Sequence, residues 1–341
     1  MPDDADATDG ADAAGDPDAA DPDAAADLRP APDERSVPEL LAFGVVNLDK
    51  PPGPSAHQVA AWARDLADDA LAASGADARV DRAAHAGTLD PKVTGCLPLM
   101  LGDATRLAQA FDDADKEYVS VLELHRSAPT DLEETVAEFE GPLLQKPPRK
   151  SAVSRRLRTR TVHDLDLLER EDRRALLRIE CEAGTYVRKL CHDLGLALGT
   201  GANMGDLRRT ATGTFDDTDL VTLHDYIDAL AVWREAGHEG PIREVVAPAE
   251  RTLDHLPRVT VAESAAHQVA TGAPVYAPGV LGIDAPDEGP NAGDLPEPGD
   301  GEDAPLVAGY VPSGTAVCLG RLVGDPEAER GEVVALERVL V

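Results

Sequence analysis

Residues 85–95 read His-Ala-Gly-Thr-Leu-Asp-Pro-Lys-Val-Thr-Gly, a stretch that leaves its own backbone little choice. Pro91 fixes its own φ and pushes Asp90 into an extended conformation. Gly87 and Gly95, one near each end, permit positive φ or the close approach of another backbone. The chain must therefore build a short rigid loop that presents one carboxylate. Held this way, Asp90 is a candidate nucleophile or general base. The competing interpretation is an Asx turn in which Asp90 bonds only its neighbouring backbone.

The flanking sequence alternates between strand and helix patterns. Residues 43–48 form a short apolar run that predicts a strand. Ser55 is a good N-cap for a helix whose stripe is Val59, Trp62, Ala63, Leu66 and Ala70. Residues 117–124 predict a strand with Tyr118 near its start, where an ordinary strand aromatic is the bland alternative. Leu177, Ile179 and Cys181 alternate with charged residues up to Gly184, which predicts another strand. Thr185 then caps a helix with Tyr186, Leu190, Leu194 and Leu198 on one face and Gly199 just past its end. Arg188 falls in the first turn, off the apolar stripe, where surface exposure is the default. Residues 204–213 read as a polar loop or strand entry carrying Arg208 and Arg209. Thr222, with Asp225 three on, opens a helix over 222–236. From Pro257 the pattern becomes short strands and turns around a helix over 262–270.

Charge limits the partners. The 341 residues carry 64 Asp and Glu against 32 Lys and Arg, a net charge of −32. A nucleic-acid binder is normally basic. Here, however, the basic residues cluster: residues 141–162 hold Lys146, Arg149, Lys150, Arg155, Arg156, Arg158 and Arg160 and no acid. Seven like charges repel one another unless an anion lies nearby, which points to an RNA-backbone clamp; a solvated loop is the alternative. Acidity elsewhere fits a protein kept soluble in molar salt. Residues 1–36, with 12 acids and two arginines, predict a disordered acidic tail, and residues 282–305, with eight acids and no base, an exposed insertion. The four cysteines, at 96, 181, 191 and 318, contain no C-x-x-C pair, so neither a structural zinc nor a disulfide framework is expected. Cys191, His192 and Asp193 are consecutive on a helix and point about 100° apart, so no metal is expected there. No apolar run reaches membrane-spanning length, and a cytoplasmic protein is expected.

The run His-Ala-Gly-Thr-Leu-Asp-Pro-Lys-Val-Thr-Gly-Cys-Leu-Pro-Leu resembles the catalytic motif of the tRNA pseudouridine synthase B / dyskerin family. Asp49-Lys-Pro-Pro-Gly-Pro-Ser55, Lys116-Glu-Tyr118 and Gly184-Thr-Tyr-Val-Arg188 resemble further motifs of that family, in its order. Ala84, where the family has Gly before the histidine, departs from the pattern. Lys92-Val-Thr94 and the basic run look more like the archaeal and eukaryotic dyskerin branch. The resemblance implies an α+β fold: a catalytic domain over 37–250, with a mixed, mainly antiparallel sheet flanked by helices and a thumb loop at about 141–162. A small, mostly β PUA RNA-binding domain would follow over 257–341. It implies an RNA pseudouridine synthase acting on tRNA at uridine 55, or on rRNA within an H/ACA guide-RNA particle with small protein partners. A non-catalytic RNA-binding scaffold is the alternative. No cofactor is implied, because the isomerisation conserves atoms. Asp90 would be the nucleophile, Arg188 its ion-pair partner, and Tyr118 the base-stacking and proton-relay group. His85, Leu207 and Lys50 would meet the substrate, His85 as a polar wedge and Leu207 as an apolar wall.

Overall fold

Residues 28–146, 156–286 and 293–341 are described by a computed structural model. Ten strands make the first sheet: β1 (Gly44–Lys50), β2 (Ala83–His85), β3 (Thr94–Leu101), β4 (Lys116–Leu124), β5 (Gly141–Gln145), β6 (Arg158–Arg170), β7 (Arg174–Cys181), β8 (Ala202–Thr212), β9 (Phe215–Asp216) and β10 (Ala247–Pro248). They lie in the order β10-β1-β3-β8-β4-β7-β6-β5, with β2 beside β3 and β9 beside β8. Every pair is antiparallel except β3 with β8. Six more strands form a second sheet: β11 (Arg258–Val261), β12 (Val275–Tyr276), β13 (Val280–Asp284), β14 (Leu306–Tyr310), β15 (Ala316–Leu322) and β16 (Glu332–Val339). The α+β expectation describes this arrangement.

The sequence of β3, Thr-Gly-Cys-Leu-Pro-Leu-Met-Leu, is nearly all apolar because both faces are covered. Alternate residues enter different cores. Leu97, Leu99 and Leu101 pack with helix α2 (Ala56–Ser74) and the helix at Leu223–Ala236. Cys96 and Met100 face a second cluster that contains Phe43, Phe111 and Phe215, together with Ala308, Tyr310 and Leu319 of the second sheet. The two sheets thus share one apolar interface. Arg106 Nη1, donating to Val339 O at 3.0 Å, and Gln109 Nε2, donating to Glu337 at 2.8 Å, extend it.

Ser55 caps α2 as expected, accepting from Gln58 N, and Thr222 with Asp225 forms the capping box at 222–236. Two expectations fail, and a third resolves to one of its alternatives. Trp62 is 41% exposed, and the buried stripe of α2 is made of alanines with Val59 and Leu71, which let the helix lie close to the sheet. Thr185 does not cap a helix: its hydroxyl donates to Glu182 O, and the helix runs from Val187 to Ala197 with Tyr186 as the flanking residue. Residues 204–213 belong mostly to a full strand, β8.

One edge of β3 is taken by β1. The other is shared: β2 pairs from Leu101 to Leu99, and β8 pairs in parallel at Thr94 and Gly95. The Asp90 loop leaves the sheet where one neighbour gives way to the other. Gly95 makes the crossing possible, since at φ +96° a Cβ would lie 2.2 Å from Arg209 O. Gly95→Ala is therefore expected to cost roughly 2–5 kcal/mol, combining left-handed strain and overpacking. Denaturant unfolding measures it, and a loss under about 1 kcal/mol would contradict the account.

Residues 28–36 run between the two sheets. Leu28 packs on the core of the second sheet. Thr315 Oγ1 donates to the carbonyls of Arg29 and Pro30. Arg29 bonds Asp103 at 2.7 Å and lies 4.2 Å over the Phe43 ring. Arg35, fully buried, makes a two-pronged pair with Glu250 at 2.8 and 2.6 Å, and Glu250 also accepts from Ala316 N. The disorder expected over 1–36 is corrected at 28–36, which these contacts tie down; residues 1–27 of that tail and 287–292 of the expected insertion lie outside the described residues.

Candidate active site

The Asp90 loop is held from below. Val93 N donates to Asp90 O at 2.9 Å, closing a tight turn, and Gly53 N donates to Pro91 O at 2.8 Å. Lys50, at the end of β1, is fully buried, and its ammonium donates to the carbonyls of Pro91 at 3.2 Å and Val93 at 2.8 Å. Burial lowers its pKa, and the nearby Asp90 carboxylate opposes that shift. The expectation that Lys50 meets substrate is corrected: three backbone carbonyls, including its neighbour's at Pro51, occupy the ammonium. Lys50 supports the loop from inside the protein.

Asp90 faces an open cavity of about 590 Å³. Its walls come from distant parts of the chain: the loop at 87–93, Lys116 and Tyr118 of β4, residues 183–186, the start of the 187–197 helix, and Met204, Leu207 and Arg209 of β8. Arg188, the second residue of that helix, pairs with Asp90 Oδ2. Both side chains are about half exposed, 53% and 54%. A pair this open contributes only ~0–1 kcal/mol to stability. A cation in the first turn of a helix also opposes the positive end of the helix dipole. Stability alone does not account for Arg188 at this position; the pair sets the arginine against the Asp90 carboxylate at the cavity.

Tyr118 lies half-buried on the wall. Burial raises the pKa of its hydroxyl, and a hydrogen bond with Arg209 opposes the rise. The phenol therefore stays protonated near neutrality. Lys116, two residues before it on the same face of β4, donates to Phe111 O at 2.9 Å and to Ala114 O. Burial, reinforced by Arg209, lowers its pKa to about 8. Arg209 is 1% exposed; its Nε donates to Cys96 O at 2.7 Å, and its Nη1 lies 3.2 Å from where a Cβ on Gly87 would be. The Arg209 contact was not anticipated from sequence. Read as a strand, 204–212 puts Leu207 and Arg209 two apart on one face, which would have exposed it.

Leu207 reaches the cavity wall. His85 does not: its Nε2 meets His57 Nδ1 at 3.3 Å, and the two rings line a separate, smaller cavity with Arg64. The loop turns at Gly87 and leaves His85 on β2 beside the α2 helix, outside the Asp90 cavity. Of the basic run, Lys146, Arg156 and Arg158 are exposed. Arg160 is corrected as a free phosphate ligand: it pairs with Glu182 at 2.5 Å and packs against Gly184. Arg149, Lys150 and Arg155 lie outside the described residues.

An aspartate on a rigid loop, countered by an arginine and facing a cavity with a tyrosine and a leucine, can attack or deprotonate a flat polar ring placed between them. Comparison with known proteins gives this arrangement a family. Residues 76–131 match the TruB family pseudouridylate synthase N-terminal domain, residues 188–254 the tRNA pseudouridylate synthase B C-terminal domain, and residues 30–60 the DKCLD domain. The chain is 61% identical over 303 residues to a probable tRNA pseudouridine synthase B of Haloarcula marismortui, covering 89% of this chain and 90% of that one. It is 43% identical to one of Methanopyrus kandleri, covering 89% and 84%. In structure it is similar to the crystal structure of a Cbf5-Nop10-Gar1 complex, with a TM-score of 0.80 and 40% identity over 93% of this chain and 90% of that one. It is also similar to an H/ACA RNP bound to a substrate RNA containing 2′-deoxyuridine, with a TM-score of 0.78 and 38% identity over 93% and 90%. The chain belongs to the TruB family of pseudouridylate synthases and is an RNA pseudouridine synthase. Among the described residues no helix is long and apolar enough to cross a membrane.

Proposed function

We propose that the enzyme isomerises uridine 55 of tRNA and, when guided by an H/ACA RNA with small protein partners, uridines of rRNA, with Asp90 as the nucleophile. The observation that carries the mechanism is the Asp90–Arg188 pair at the rim of a cavity that also holds Tyr118 and Leu207. The target nucleotide must leave its stack to reach Asp90, at a cost of a few kcal/mol. Tyr118 stacks on the everted base; its hydroxyl stays protonated, with a proton to relay, while its oxygen accepts from Arg209. Leu207 closes the apolar side. Asp90 displaces the base from C1′, breaking the N1–C1′ bond; the uracil turns, C5 bonds C1′ and Asp90 leaves. The C5 proton is lost and N1 regains one, so atoms and electrons balance.

The exposed cations Lys146, Arg156 and Arg158, with Arg149, Lys150 and Arg155 of the same run, would hold the RNA backbone. At molar salt the Debye length shrinks to about 3 Å, so these contacts work only at close range. The second sheet, over residues 257–341, would serve as a PUA-type RNA-binding domain beside a catalytic domain spanning 37–250, and the protein would be cytoplasmic. Similarity to the Cbf5 chains of guide-RNA complexes supports assembly with a guide RNA and two small proteins.

Tritium release from RNA carrying [5-³H]uridine tests this. The purified full chain in molar salt should release label from a tRNA transcript at position 55. Adding guide RNA and the two small proteins should extend release to the matching rRNA segment. Release only with the guide would confine the function to guided sites, and no release in either case would overturn the assignment.

A further inference from the structure

The helix that carries Arg188 begins without a side-chain cap of its own. Its start is instead held by Gln145, the last residue of β5 and 2% exposed. Gln145 Oε1 accepts from Tyr186 N at 2.8 Å, and Gln145 Nε2 donates to Tyr186 O at 3.4 Å. The amide thus copies the paired bonds of a β-ladder onto one residue. Tyr186 O in turn accepts from Lys189 N at 2.9 Å and Leu190 N at 3.0 Å, the first bonds of the helix. Tyr186 lies two positions before Arg188, and both line the cavity.

The adjacent strand grips the same segment. Thr161 N donates to Glu182 Oε2 at 3.0 Å, Glu182 N donates to Thr161 O at 2.9 Å, and Arg160 pairs with Glu182. Residues 182–186 therefore hang from the β5–β6 hairpin at two points. Only the Gln145 point acts on the residue from which the helix starts. A half-exposed ion pair worth ~0–1 kcal/mol does not fix its own geometry, so the direction of Arg188 has to come from its backbone.

We infer that Gln145 is a positioning residue for the isomerisation: its amide fixes Tyr186, and through the start of the helix it sets where Arg188 meets Asp90. This depends on the roles proposed above for Asp90 and Arg188. A misplacement of about 1 Å at a reacting group costs up to roughly 10²-fold in rate.

The test uses the full chain and the transcript that the wild type modifies. Gln145→Leu keeps the volume and removes both bonds; Gln145→Glu keeps the acceptor for Tyr186 N and loses the donor. Gln145→Leu is expected to lower single-turnover kcat about ten- to a hundredfold, with KM and RNA Kd changed less than about threefold. Gln145→Glu should recover part of the loss. Rates within twofold of wild type for Gln145→Leu, a loss lying entirely in KM, or no recovery in Gln145→Glu would each overturn the positioning role. Asp90→Asn assayed alongside separates the two questions. If it retains turnover, the roles of Asp90 and Arg188 fail; if it is inactive while Gln145→Leu is normal, only the role of Gln145 fails.

Discussion

Asp90→Asn is expected to abolish pseudouridine formation, lowering single-turnover kcat by at least about 10³-fold, or ~4 kcal/mol of transition-state stabilisation. The amide keeps the size and shape of the carboxylate but has no charge with which to attack C1′ or to answer Arg188. Binding should survive. Asp90 contributes one exposed ion pair, worth ~0–1 kcal/mol, so RNA affinity should stay within about fivefold. Removing a negative charge from the cavity also favours a polyanion. Filter binding and tritium release on the same preparation check both halves. A variant that binds and turns over normally would sink the mechanism. A wild-type protein that binds RNA and never releases label, with or without guide and partner proteins, would turn the chain into the scaffold that its sequence also allowed.

Arg35→Ala is expected to destabilise the fold by about 3–5 kcal/mol, because it leaves the Glu250 carboxylate buried without its counter-ion. Both guanidinium prongs reach Glu250, and Arg35 Nε also donates to Pro30 O at 3.2 Å. Replacing both partners, Arg35→Leu with Glu250→Leu, should recover most of the loss, since an apolar pair of similar size avoids the desolvation penalty. Denaturant unfolding at one fixed molar salt concentration measures the set. A single-variant loss under about 1 kcal/mol would show that water or another cation reaches Glu250.

What the sequence discloses here depends on how far apart the interacting groups lie in the chain. The Asp90 loop is legible because Gly87, Pro91 and Gly95 restrict it locally. The strand around Tyr118 and the capping box at Thr222 are legible for the same reason. Arg188 could be named as the partner of Asp90 only through family resemblance, since 98 residues separate them. Lys50 is no substrate contact, and nothing local shows it: only the packing of β1 against the loop buries its ammonium among backbone carbonyls. The cavity that His85 lines is not legible locally, because a one-residue change of direction at Gly87 decides which one its ring enters. Arg160 looked free because its acid, Glu182, comes from beyond the basic run. Trp62 fits a helical stripe, yet the alanines of α2 allow an approach to the sheet too close for an indole. Gln145 carries no local signal at all: its meaning lies in a backbone amide 41 residues away.

The strap at residues 28–36 has a consequence for the order of events during synthesis. Arg35 emerges 215 residues ahead of Glu250, and Pro30 emerges 285 ahead of Thr315. At about 5–20 residues per second, a ribosome leaves that arginine waiting roughly 10–40 s for its carboxylate. This early-made segment is therefore among the last to lock down, closing the molecule only when residues far along the polypeptide arrive.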